Sequence, residues 1–221
     1  MSDTLNTLIQ GVLLGGLYAL FAMGQSLIFG VMRLTNTAHG DFIILAAFGA
    51  FSVVAALGLP AAVAPWIALG LLLPIGFAAG YGLQRFVLNG TLGRDPLPSL
   101  VVTFGLAIVI QNLLQEMYTA DPRSIESGGL NTASIALTDA LAVGTLPLMI
   151  FAIAIAMAIA MQWLFDHTAL GRAFRAVSDD RDAAQLMGLD YRHVYALATG
   201  IAFLLIVFAG TLHGMKTTVS P

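Results

Sequence analysis

The sequence has no cysteine, a single lysine and only two glutamates among its 221 residues. Without thiols there is no disulfide framework, no thiolate zinc site and no cysteine nucleophile. The one lysine, Lys216, follows Met215, so no G-x-x-x-x-G-K-[ST] loop exists to cradle a nucleotide phosphate. Charge of both signs is scarce: nine Lys and Arg with twelve Asp and Glu make up 10% of the chain and leave a net charge of −3. A soluble domain carries about 25% charged residues, so this chain cannot cover a water-exposed surface. Nine scattered cations also fail to form the basic patch that binding a row of nucleic-acid phosphates needs. What is abundant is apolar: 58% of the residues are hydrophobic, and 23 are glycine. The first four residues carry no Lys or Arg, and the apolar run behind them is too long for a signal-peptide core, so it reads as a first membrane span.

Residues 4–32, 42–84, 96–115, 140–165 and 194–212 contain no Asp, Glu, Lys or Arg. Crossing a hydrocarbon core of about 30 Å takes about 20 helical residues, which each window supplies. The 42–84 window holds 43 residues and is interrupted by Gly58-Leu59-Pro60, so it must fold back once. Six spans are therefore predicted, at roughly 8–31, 42–57, 61–83, 97–115, 142–165 and 194–214. The fold class is all-α: a polytopic transmembrane bundle in a single domain over residues 1–221, with a loop at about 166–193. Small residues inside the spans suit helices that approach closely in lipid, and Gly76 and Gly80 have GxxxG spacing. Arg85 and Arg94 flank one loop and Arg172, Arg175, Arg181 and Arg192 lie in another, which assigns both to the cytoplasm. The 116–141 loop, with Arg123 alone beside Glu116, Asp121, Glu126 and Asp139, is assigned outside, which puts Arg33 inside and the N-terminus outside.

Two segments break the apolar pattern. Arg33-Leu34-Thr35-Asn36-Thr37-Ala38-His39-Gly40-Asp41 sits between two spans. Its polar residues fit either a short cytoplasmic turn or a helix broken inside the bilayer, where Asn36, His39 and Asp41 would satisfy freed backbone groups. The 28 residues from 5 to 32 exceed one span, which favours the break. In the second segment, His167 to Asp190, Ser178 is placed as an N-cap and Gly188 as the residue just past the end of a short helix over 179–187. Asp179, Asp180 and Asp182 would complement its dipole, and Ala183, Ala184, Leu186 and Met187 would form an apolar surface suited to a groove on a partner.

At these two segments the sequence resembles the branched-chain amino acid (Liv-type) permeases of bacterial ATP-binding-cassette (ABC) importers. Asn36-Thr37-Ala38-His39-Gly40-Asp41 is similar to the family's N-x-A-H-G-[DE] segment. Gly171-Arg172-Ala173-Phe174-Arg175, running into Asp182-Ala183-Ala184 and Gly188, looks like the E-A-A-x-x-x-G coupling loop, with Asp182 in place of Glu. The resemblance covers essentially the whole chain. It implies an inner-membrane permease subunit that passes branched-chain or other small aliphatic amino acids, or in close relatives urea and short amides. It implies that Asn36, His39, Gly40 and Asp41 lie near the translocation path. Gly171, Arg172, Arg175, Asp182, Ala183, Ala184 and Gly188 would belong to a loop that receives the ATPase stroke. The implied partners are a second permease subunit, two ATPase subunits that bind the ATP, and a periplasmic solute-binding protein, besides membrane lipid. Family members continue for further spans, so the resemblance also implies that a chain ending at Pro221 is C-terminally shortened.

Other classes fit less well. An intramembrane hydrolase would need Ser26 with His39 or His213 with Asp190, and Gly24-Gln25-Ser26-Leu27 is not a nucleophile elbow. An ion-coupled carrier would show charges within several spans, but after Asp41 the apolar cores of spans two to five hold none, Glu116 at the edge of the fourth being the nearest. No catalytic or metal site is expected, because His193 and His213 are isolated and no carboxylate stands at ligand spacing. Gln111 and Asn112 are expected to hydrogen-bond between helices, Met149, Met157 and Met161 to fill packing gaps, and Trp66 and Trp163 to anchor at the interfaces.

Overall fold

Each charge-free window supplies one membrane-length helix, and the window of 43 residues supplies two. The computed structural model describes residues 2–92, 97–138 and 141–221. Helix α1 runs Ser2–Met32, α2 His39–Leu57, α3 Ala64–Gly82, α4 Leu97–Tyr118, α5 Thr145–His167, α6 Ala169–Asp179, α7 Arg181–Leu186 and α8 Tyr191–Lys216. Among the described residues six helices are long and apolar enough to cross a membrane. The fold-back comes where it is expected: Gly58, at φ 59, takes the left-handed conformation that ends α2. Pro65 then enters the first turn of α3, where its missing N–H costs nothing. Beyond Gly82 the α3 backbone widens into a π turn over Leu83–Val87 and closes in a 3-10 turn over Leu88–Gly90.

Helix α8 is the hub. Seventeen of its residues are buried, and α1, α2 and α3 pack around it. Lipid tails are as apolar as the helices, so close approach over small residues, rather than hydrophobic burial, supplies the cohesion. A Cβ on Gly80 would lie 2.6 Å from the Phe203 ring, and one on Gly200 would lie 2.8 Å from Phe77. Gly76 meets Val207 in the same seam. The Gly76/Gly80 pair therefore joins two helices of this chain. Met149 and Met157 pack at the edge of the main core cluster and Met161 at the edge of a second, as gap fillers do.

The polar loops sort to two ends. Arg85 meets Asp190, and Arg33 reaches the carbonyl of Ser178, so the 85–92 turns, the end of α1 and the 168–190 segment share one end, as the charge argument requires of segments on one side of the membrane. At the other end Arg123 pairs through its backbone with Val219, and Gly128 packs on Ala62. Arg94, used in the orientation argument, and Asp139 lie outside the described residues. One element was not expected from the all-α reading. Strand β1 (Ser134–Thr138) pairs antiparallel with β2 (Leu141–Gly144), with Ser134 opposite Gly144, forming a small hairpin before α5.

Candidate functional site

The break after α1 begins at Arg33, which adopts φ 55 and ends the helix with a non-glycine left-handed residue. Asn36 then folds the chain on itself, its Oδ1 accepting from the Ala38 N–H at 3.0 Å in an Asx turn. The His39 N–H bonds the Asn36 carbonyl at 3.3 Å, and α2 starts there. Asn36 is 4% exposed and His39 8%. The His39 Nε2 lies 2.9 Å from the carbonyl oxygen of Phe21. A Cβ on Gly24 would come within 2.8 Å of the His39 ring, so the ring fits only because residue 24 has no side chain.

These partners fix the depth of the break. Phe21 lies eleven residues before the end of α1, about 16 Å back along the helix. The Thr37 and Thr103 hydroxyls are 2.9 Å apart, and the Gln111 Nε2 donates to the Asp41 Oδ1 at 2.8 Å. Gln111 lies fourteen residues from the start of α4, about 21 Å along it. Residues 33–38 thus run back along the bundle, and α2 begins well inside a layer about 30 Å thick. Of the two readings of this segment, the break within the bilayer is the one the geometry supports. Gly40 is exposed with open space in front of its Cα, and Asp41 is half-buried.

The second segment differs from expectation in its caps. Ser178 is not an N-cap: it lies inside α6, and its hydroxyl donates to the Gly30 carbonyl at 2.7 Å. The cap is Asp180, whose Oδ1 accepts from the N–H groups of Asp182 at 2.9 Å and Ala183 at 3.0 Å. α7 is therefore shorter than the predicted helix. Its other end is as expected. Gly188 has φ 89, its N–H bonds the Gln185 carbonyl and the Leu189 N–H bonds the Ala184 carbonyl, both at 3.0 Å, which closes a Schellman motif.

Within this loop Gly171 is buried, and a Cβ there would collide with the carbonyls of Leu164 and Phe165, where α6 folds under α5. The Thr168 Oγ1 caps α6 by accepting from the Gly171 N–H at 3.1 Å. Phe174 and Val177 turn inward on the same face of α6. The Arg175 guanidinium donates to the Phe165 carbonyl, whereas Arg172, Asp182 and Ala183 are exposed. Ala184, expected on a docking surface, is instead buried in the cluster of Phe174, Val177, Val194 and Tyr195. A polar loop needs an anchor to stay against the bundle, and Ala184 supplies it. The most exposed large apolar residues of the loop are Leu186 and Met187, at 90% and 84%, well above Leu170 at 39%.

Three contacts brace the end of this loop and the start of α8 to α3 and the turns that follow it. The Arg85 Nη1 donates to the Asp190 carboxylate at 3.3 Å, the Tyr81 hydroxyl meets the His193 Nδ1 at 2.8 Å, and the Asn89 amide donates to the Arg192 carbonyl at 3.2 Å. Burial pushes the Asp190 carboxyl up, but the N–H groups of Arg192 and His193, together with Arg85, outweigh it and hold it below the usual carboxylate range. Behind the brace Gln84, fully buried, accepts from the Thr199 hydroxyl at 2.9 Å and donates to Asn89 at 3.1 Å.

Neither hydrolase pair forms. Ser26 lies two residues past Gly24, on a face of α1 that opens into a groove of about 530 Å³ against α5. Asp190 caps the start of α8, and His213 lies 23 residues further on, about 34 Å away along the helix. Gln111 makes the interhelical bond expected of it, while Asn112 bonds back to the Ile108 carbonyl within α4. Gly24, Gln84 and Thr199 gave no signal in the sequence, because small and amide residues recur throughout the spans.

With this geometry in hand, comparison with known proteins is direct. Residues 7–221 match the profile of the family described as the branched-chain amino acid transport system permease component. The high-affinity branched-chain amino acid transport system permease protein LivH of Salmonella typhimurium is 26% identical over 222 residues, covering 95% of this chain and 70% of its own length. LivH of Escherichia coli K12 is 26% identical over 218 residues with the same coverage. BraD of Pseudomonas aeruginosa, of the same description, is 24% identical over 220 residues, 96% of this chain and 71% of its own. No solved structure matches.

Proposed function

The chain belongs to the family of branched-chain amino acid transport permease components, and from that premise we propose that it is a membrane subunit of an ABC importer for branched-chain or other small aliphatic amino acids. A permease component is part of a transporter and not an enzyme, and the six apolar helices with these relatives make this one a multi-pass membrane protein. The membrane is the bacterial inner membrane. The assembly contains a second permease subunit, two ATPase subunits that bind the nucleotide, and a periplasmic solute-binding protein. The whole of residues 1–221 works as one transmembrane domain. Asn36, His39, Gly40 and Asp41 border the path, and Gly171, Arg172, Arg175, Asp182, Ala183, Ala184 and Gly188 build the loop that receives the stroke.

The observation that carries this reading is the tip of that loop. Leu186 and Met187 are apolar and 90% and 84% exposed, on a loop whose Arg172, Asp179, Asp180 and Asp182 are exposed as well. Facing water, such a pair is unfavourable, whereas in a groove on an ATPase it is buried, and Met adapts to irregular pockets. Ala183 and Gln185 beside it are exposed as well, and the Asp180 cap and the Schellman closure hold the tip rigid. Substituting Leu186→Asp together with Met187→Asp should leave membrane insertion unchanged and remove the ATPase subunits from the purified assembly. Recovery of those subunits at the original yield would reject the docking role. Gly171, Arg175 and Ala184 are not useful targets for this test, because each contacts the chain's own helices.

A further inference from the structure

Asp41 is a carboxylate in an unusual place. Its partner on α4, Gln111, lies about 21 Å from the start of that helix. The described ion pairs are Arg85 with Asp190, Arg123 with Asp121 and Arg181 with Asp182, so among the described residues no cation pairs with Asp41. Asp41 lies in the first turn of α2, a helix start set deep in the bundle, whereas Glu116 lies two residues from the outer end of α4 and Asp166 one residue from the end of α5. A carboxylate at mid-depth without a cation costs several kcal/mol against lipid, so the face that carries it is covered by water, a partner or a passing solute.

The surroundings describe what would complement it. Gln111 donates to one carboxylate oxygen only, which fixes the group and leaves its second oxygen accepting nothing from the described residues. Gly40 next to it leaves open space, and the Thr37 hydroxyl, bonded to that of Thr103, lies nearer the cytoplasmic end. On α4, Phe104 and Ile108 share the stripe of Gln111 by their helical spacing, and both are exposed. One fixed carboxylate beside an apolar strip matches an ammonium group beside an aliphatic side chain. A neutral amide solute would not require the charge.

We infer that Asp41, positioned by Gln111, receives the ammonium group of a zwitterionic aliphatic amino acid in transit, while Phe104 and Ile108 take its side chain. This rests on the transport reading above and deepens it. The test is leucine uptake by vesicles holding the complete importer, supplied with its loaded binding protein, with Asp41→Asn and Asp41→Glu compared with the original. Asp41→Asn should assemble with every subunit yet transport leucine on the order of ten- to a hundred-fold more slowly, the range for a lost charge-assisted hydrogen bond. Asp41→Glu, which keeps the charge, should recover most of the rate. The assignment is overturned if Asp41→Asn transports within two-fold of the original, or if Asp41→Glu is as slow as Asp41→Asn, which would mark a packing role. It is also overturned if Asp41→Asn loses the second permease subunit, since the carboxylate would then pair with a cation of that subunit. An original importer that moves no aliphatic amino acid would instead reject the transport reading, and this assignment with it.

Discussion

At the scale of single residues, the polar atoms that matter are few and their partners specific. Gln84 is fully buried and spends its amide oxygen on the Thr199 hydroxyl and its amide nitrogen on Asn89, tying the turn after α3 to α8 behind the Arg85–Asp190 brace. Thr199→Val keeps the shape and removes the donor, so the Gln84 oxygen is left without a partner in a site closed to water. This should cost about 1–3 kcal/mol. Thr199→Ser, which keeps the hydroxyl, should cost less. The measurement is the unfolding midpoint in detergent for the three proteins. A Val variant as stable as the original would mean that Gln84 finds another donor and that the bond carries little. The sequence could not reveal this pair: Gln84 closes a charge-free window and Thr199 is one of many hydroxyls, so only the packing of α3 on α8 brings them together. His39 was legible as a polar intrusion into an apolar run. That it rests on Gly24 and the Phe21 carbonyl was not, because no local pattern marks a glycine as the floor of a pocket.

At the scale of elements, the scarcity of charge made the spans readable, since an isolated charge at mid-depth is too costly to be frequent. The predicted span 42–57 and the observed α2, His39–Leu57, share their end at Gly58. The predicted 142–165 and observed Thr145–His167 differ by two or three residues at either end. Charge spacing could not reveal the β1–β2 hairpin, whose two strands of five and four residues fall on either side of a window boundary. The 166–193 loop was half legible. Gly188 was identified by its position after an apolar turn, but three consecutive residues, Ser178, Asp179 and Asp180, are all plausible caps, and only the fold of α6 against α1 decides for Asp180. Ala184 was misplaced because the Ala and Leu of so short a helix do not state which face meets the bundle. The Schellman closure makes a separate prediction. Gly188→Ala forces a Cβ into the left-handed region at a cost of about 1–2 kcal/mol. Hydrogen exchange at the Leu189 amide, which bonds the Ala184 carbonyl, should therefore speed up, while the amides of α8 stay protected. Unchanged exchange at Leu189 would show that the loop is held by Ala184 packing alone.

At the scale of the whole molecule, exposure has two physical meanings that composition does not separate. Helix α5 buries three residues of its length, and its open faces carry Ile155, Ile159 and Leu148, which suit lipid. The open face at the start of α2 carries Thr37, Gly40 and Asp41 at comparable depth, and hydrocarbon does not suit it. The absence of cysteine from residues 1–221 makes the two distinguishable, because a thiol introduced here is the only one on this chain, and labelling is read on this chain's band. A thiol reacts as its thiolate, which forms where water reaches it. In the assembled importer, Gly40→Cys should react with a small water-soluble maleimide, and Ile159→Cys, eight residues from the nearer end of α5 and 64% exposed, should not. Saturating leucine should slow the first reaction and leave the second unchanged. If Gly40→Cys is as silent as Ile159→Cys, the polar face is sealed against another subunit, and the path must lie along a different side of the bundle. If it reacts but leucine offers no protection, water reaches the break while the solute passes elsewhere. Only reaction together with protection joins the depth of the break, read from the Phe21 and Gln111 bonds, to the movement of an amino acid past it.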